Sequence, residues 1–167
     1  MNYLKKYRSL ILLTIISGFL SGLLIDSWNY FPGIVFGIAL GRWFFVTQKT
    51  YLMKVLLWVG TSTLAYYIAF YTFFFVGELF DSNIISGFFS AGLVGGMLLA
   101  ISTKLLIVKL NQKQIFIVAL LGGMAGLIFA VEIASSFLPH FILWQMVVGT
   151  TLGSMVDRNK QNNEKII

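Results

Sequence analysis

The sequence predicts an all-α polytopic membrane protein, a compact bundle of six transmembrane helices arranged as three hairpins. Three observations predict it. First, the 167 residues are 58% hydrophobic and only 11% charged, with a mean hydropathy of +0.87. That leaves too few polar groups to cover a soluble globule, so the natural solvent of the chain is lipid. Second, the apolar residues gather in six long runs. Third, all twelve Lys and Arg residues lie outside those runs or near the ends that face one side. Lys5, Lys6 and Arg8 precede the first run. Arg42, Lys49 and Lys54 surround the second connection, Lys104, Lys109 and Lys113 the fourth, and Arg158, Lys160 and Lys165 fill the tail. The other connections carry acid: Asp26 in the first, Glu78 and Asp81 in the third, Glu132 in the fifth, with His140 the only potentially basic group there. Connections rich in Lys and Arg stay in the cytoplasm. The expectation is an inner-membrane protein with both termini cytoplasmic and an even number of spans.

The first span, about 9–26, follows a basic start and resembles a signal peptide, yet the bulky, polar Asp26-Ser27-Trp28-Asn29 offers no small-residue cleavage site, so it is expected to remain as an anchor. Ser17, Gly18, Ser21 and Gly22 give it a small-residue face. The second, about 31–47, opens on Pro32, where the missing N–H costs nothing and the ring pre-sets the first turn. Gly33, Gly37 and Gly41 repeat along one face. Counted from Pro32, Arg42 should lie roughly 15 Å below the outer edge, where a guanidinium either snorkels past Trp43 or finds an anion, unless the second helix ends early and leaves Arg42 interfacial.

The third span, about 52–77, carries Ala65 and Ala69 and a deep aromatic run, Tyr66, Tyr67, Tyr71 and Phe73 to Phe75, that either faces lipid or lines a pocket. In the fourth, about 83–103, Gly87, Ala91 and Gly95 share a face with Gly92 and Gly96 beside them. Gly122 and Gly126 mark the fifth, about 114–132, and Gly149 and Gly153 the sixth, about 138–156, which begins at Pro139. The first and third hairpins share a loose Gly–Pro–Gly rhythm, as topology alone produces. No linker divides the chain, which reads as one domain over 1–167.

Helices in lipid associate by close contact across small residues, because lipid tails are as apolar as Leu. The glycine faces therefore read first as packing within the bundle. A face on nearly every helix leaves some over for a membrane-protein partner or a second copy of the chain. Trp28, Tyr30 and Phe31 on the outside, and Tyr3, Tyr7, Trp43, Tyr51 and Trp58 on the inside, read as interfacial belts.

Enzyme signatures are missing. The chain has no Cys and one His, which removes thiol chemistry, thiolate metal sites and any metal cluster built on histidines. No Gly-rich phosphate loop ending in Lys-Ser or Lys-Thr is present, so no cofactor or nucleotide is expected. The net charge of +6 is divided among four cytoplasmic segments, which suits anionic headgroups rather than nucleic acid. The candidate ligand-binding residues are polar groups near or within the membrane: Glu132, Asp26, Glu78, His140, Gln145 and Arg42. Asp26, Glu78 and Glu132 each close an odd-numbered helix on the outer side, and three hairpins around one axis would gather them into an acidic vestibule for a cation or an amine. Glu132 leads, being set among Ile133, Ala134, Phe137 and Leu138, with His140 able to reach it across the turn and Gln145, about 9 Å deeper, able to donate to the same cavity.

Two family resemblances follow. Gly18-Phe19-Leu20-Ser21-Gly22-Leu23-Leu24-Ile25-Asp26 resembles the Gly-Phe…Gly-Leu-Leu…Asp segment of the rod-shape-determining MreD family, although there the segment lies well into the chain. In size, span number and a small-residue first helix the sequence is similar to the substrate-binding S components of energy-coupling-factor vitamin transporters. That resemblance implies that Ser17, Gly18, Ser21 and Gly22 dock on a coupling subunit. The expected function is a small non-enzymatic transport or solute-binding subunit working with partners. Its rival is a structural or assembly subunit without a solute site.

Overall fold

The computed structural model describes residues 3–25, 31–45, 51–80, 83–131 and 138–164. Among these residues there are six helices: α1 (Tyr3–Leu24), α2 (Phe31–Phe45), α3 (Tyr51–Leu79), α4 (Ile84–Leu106), α5 (Gln112–Val131) and α6 (Leu138–Glu164). Among the described residues there is no strand. Three segments are long and apolar enough to cross a membrane: Tyr7–Leu24 of α1, Tyr51–Leu79 and Ile84–Leu106. Phe31–Phe45 and Gln112–Ile128 are apolar but shorter. α6 continues well past the expected end at residue 156, carrying Asp157, Arg158 and Lys160 in the same helix.

Local chemistry sets the helix starts. Asn83 caps α4, its Oδ1 accepting from the N–H groups of Ile85 at 3.0 Å and Ser86 at 3.2 Å. Asn111 and Gln114 form a reciprocal cap on α5. Asn111 Oδ1 accepts from Gln114 N at 2.9 Å, and Gln114 Oε1 accepts from Asn111 N at 3.0 Å. Each cap satisfies N–H groups that the first turn leaves unpaired.

Each helix packs on its neighbours in sequence, and α6 returns to α1, closing a ring. α6 also touches α2 and α4. It carries buried His140, Gln145 and Asp157, ends in a polar stretch from Asp157 to Glu164, and falls short of the apolarity of its neighbours. The core runs through Leu10, Phe36, Leu40, Phe44, Trp58, Leu99, Val118, Val148 and Leu152.

α2 starts recessed. Gly33 lies against Ser62, Thr63 and Tyr66, Gly37 against Val59, and Gly41 against Val55 and Trp58. Ser62 Oγ donates to the Gly33 carbonyl at 2.9 Å. The first turn of α2 thus meets α3 near its middle, and α3 continues beyond Tyr66 for roughly 20 Å. This register sets the start of α2 against the middle of α3 and not level with its far end. Arg42 is exposed one residue beyond Gly41, level with Val55 and close to the end of α3 that carries Lys54.

The basic ends meet. Lys160 Nζ reaches the Phe44 carbonyl at the end of α2 at 3.5 Å. Asn159 Nδ2 donates to the Lys109 carbonyl at 2.9 Å and to Gln114 Oε1 at 3.2 Å. The tail of α6 therefore ties the end of α2 to the connection between α4 and α5, all at one end of the bundle.

Candidate functional site

Three antiparallel seams account for most of the small residues. On α1 and α6, Gly18 abuts the Ile142 backbone and Gly22 abuts Leu138, while Gly149 meets Thr14 and Gly153 meets Leu10. On α2 and α3, the contacts are those of Gly33, Gly37 and Gly41 already described. α4 has two glycine rows rather than one. Gly92 and Gly96 press on Gly122 and on Val118 and Ala119 of α5, and Gly126 presses on the Phe88 carbonyl. Gly87 meets Phe73, and Gly95 meets Ala69 and Trp144. Ala91 is half-buried between the rows. α4 is thus clamped by α5 on one side and α3 on the other.

The α1 face that the transporter resemblance assigns to a coupling subunit is occupied by α6. Besides the glycine contacts, Ser17 Oγ donates to Gln145 Oε1, and Gln145 Nε2 donates to Ser21 Oγ at 2.8 Å. Gln145 is 2% exposed and Ser17 and Ser21 are equally enclosed. Its amide ties α6 to α1 through both serines. An amide so deep in an apolar bundle needs both its donor and its acceptor satisfied, and two serines four residues apart on the facing helix satisfy them. The pairing of polar residues across distant helices is not visible in either segment alone.

Of the expected acids, Glu78 is exposed near the far end of α3. Asp26 and Glu132 lie outside the described residues, as do Ile133, Ala134 and Phe137. His140 is buried in the first turn of α6. Among the described residues no group of three or more His, Asp or Glu side chains stands ready to hold a metal.

Where α2, α3, α4 and α6 meet, a cavity of about 20 Å³ remains, walled by Pro32 and Phe36, Ser62 and Tyr66, Gly95, and Phe141, Trp144 and Gln145. The Phe36 and Trp144 rings stand 6.0 Å apart and the Tyr66 and Phe141 rings 6.2 Å. Its walls are mostly apolar, and the volume admits about one water molecule. It lies beside the first turn of α2, which meets α3 near its middle. Buried residues of α3 are confined to Trp58, Ser62 and Ala65. Above them Tyr67, Tyr71, Phe74 and Phe75 are exposed, so this part of the aromatic run faces outward rather than lining the cavity. The Tyr67 and Tyr71 hydroxyls bond to each other at 3.0 Å.

Trp58 departs from its expected place in the inner belt. It is wholly enclosed, its ring set edge-on to Phe44 at 5.4 Å, in space that Gly41 leaves open: a Cβ there would meet Trp58 Cδ1 at 3.1 Å. Counting residues from a helix end cannot detect a glycine on the facing helix. No protein family, no curated protein and no solved structure matches the chain.

Proposed function

We propose that the chain is a six-span inner-membrane protein, both termini cytoplasmic, that acts without catalysis as a small transport or solute-binding subunit alongside partner subunits. The observation that supports it is a cavity walled by residues of α2, α3, α4 and α6, among them the buried, polar Gln145. Polar side chains held inside a membrane domain are expensive, and solute pathways are where they recur. The gathering of Arg42, Lys109, Lys113, Arg158 and Lys160 at one end supports the orientation. α2 and α5, short for a bilayer, span within the ring because longer neighbours flank them.

Mild-detergent purification from native membrane followed by native mass spectrometry tests the proposal. A co-purifying small molecule that is lost in Ala65→Val, at a residue that lines the cavity, while the variant stays monodisperse, supports it. A partner protein retained with no small molecule, in wild type and variant alike, favours the second reading, an assembly subunit without a solute site. That reading draws on the cavity's size, which is far below the roughly 300–1,000 Å³ of typical ligand pockets.

A further inference from the structure

We infer that the Ser17–Gln145–Ser21 clamp is the latch of the cavity, holding shut a wall formed by residues 141–145 of α6, and that a solute larger than water enters when this latch opens. The inference rests on the reading of the cavity as the solute site. Size is its starting point. At about 20 Å³ the cavity admits one water molecule, so anything larger must displace a wall. In a close-packed interior the wall that yields is the one held least firmly.

Three of the walls are held by backbone. α2 and α3 are locked at the cavity itself: a Cβ on Gly33 would fall 2.6 Å from the Thr63 Cα, and Ser62 Oγ donates to the Gly33 carbonyl at 2.9 Å. α4 offers Gly95 and Leu99 and is gripped by α3 on one side and α5 on the other. The fourth wall differs. α6 offers the side chains of Phe141, Trp144 and Gln145, touches α2 and α4 only lightly, and has α1 as its main support. Gln145 is thus both a wall of the cavity and the centre of the clamp, its Oε1 accepting from Ser17 and its Nε2 donating to Ser21 at 2.8 Å. No described residue of α1 lines the cavity, yet α1 packs on α2 as well as on α6. The clamp therefore ties the movable wall, through α1, to a fixed one. Serines released from the amide can turn to carbonyls of their own helix, so opening this latch costs less than parting a backbone seam.

The chain has no cysteine, so Ala65→Cys places a single thiol in the cavity wall. Its modification by methyl methanethiosulfonate, a small uncharged reagent, is timed by mass spectrometry on the full chain in a fixed detergent. With the clamp intact the thiol should react slowly. Adding Ser21→Ala, which leaves every wall residue in place, should raise the rate roughly three-fold, the average interhelical hydrogen bond expressed as a ratio. Ser17→Ala with Ser21→Ala should raise it further. Val118→Ala trims a wholly buried core side chain of α5 that belongs to neither cavity nor clamp, and it should leave the rate unchanged. Labelling as fast as a free thiol before any cut, an unchanged rate in the double serine variant, or an equal rise in Val118→Ala would each overturn the latch. The measurement needs no solute, so its failure leaves the solute site to be judged by co-purification alone.

Discussion

The α4–α5 and α1–α6 seams use the same small-residue spacing and hold by different means. Between α4 and α5, backbone meets backbone: Gly92 and Gly122 each face the other's carbonyl, and Gly126 faces that of Phe88. No side-chain hydrogen bond crosses this seam among the described residues. Between α1 and α6, glycines set the approach toward both ends, and at the middle the Ser17–Gln145–Ser21 clamp joins the helices. A glycine row lets two helices approach but allows them to slide, because every small residue resembles the next. An amide held by two hydroxyls accepts one register only. The dry seam gains its energy from dispersion over a long contact, whereas the clamped seam adds specificity to a similar contact.

The comparison breaks most visibly at the dry seam. Gly122→Leu would drive a branched side chain into the Gly92 carbonyl and the Gly96 Cα, and neither is the free end of a flexible side chain. Separating α4 from α5 should cost about 3 kcal/mol or more. The expected result is failure to yield monodisperse protein, or a melting point in detergent far below that of wild type. Gly95→Leu should be milder. A Cβ at residue 95 would meet the Ala69 Cβ and the Trp144 ring, both at 3.3 Å, and the tryptophan can shift. A loss of about 1–2 kcal/mol is expected. If Gly95→Leu proves the worse of the two, the contact to α3 and α6 outweighs the backbone seam and the ranking is wrong.

How much of this was readable beforehand follows from the same physics. Helix number was readable because hydropathy and the Pro32 and Pro139 start signals are local, whereas the far end of α6 was not, because its polar tail carries no apolar run. The small faces were readable as spacing, yet not which helix each one meets. Gly92 and Gly96 stood beside Gly87, Ala91 and Gly95 in the sequence, and only the ring order of the helices shows that the two rows serve different neighbours. The enclosure of Trp58 was missed because it depends on Gly41 of α2 lying against it, which is a property of two helices in register and leaves no mark in either. The acidic vestibule depends on Asp26 and Glu132, outside the described residues, so its strongest members have no structural counterpart here.

The clamped seam is sharpened by removing its amide. Gln145→Leu keeps volume and removes both bonds to α1, leaving Ser17 and Ser21 to turn their hydroxyls back to carbonyls of their own helix. That fallback limits the damage to about 1–2 kcal/mol, the upper range for hydrogen bonds between membrane helices. Thermal unfolding in a fixed detergent measures it. Gln145→Glu, which adds charge in a site this enclosed, should be worse than Leu. The opposite order would indicate water beside the clamp.

Ser21→Ala should have the smallest effect and carries the most information about register. It deletes the acceptor of the 2.8 Å bond from Gln145 Nε2 while the Ser17 bond to Oε1 persists. The lost bond is worth about 0.6 kcal/mol by the average for such pairs. What matters is how this adds to Gln145→Leu. If the three residues form one unit, the double variant should lose no more than Gln145→Leu alone, since the serine has nothing left to contribute once the amide is gone. Full additivity would show that Ser21 stabilises α1 by itself, and the contrast between a sliding seam and a registered one would then rest on Ser17 and Gln145 only.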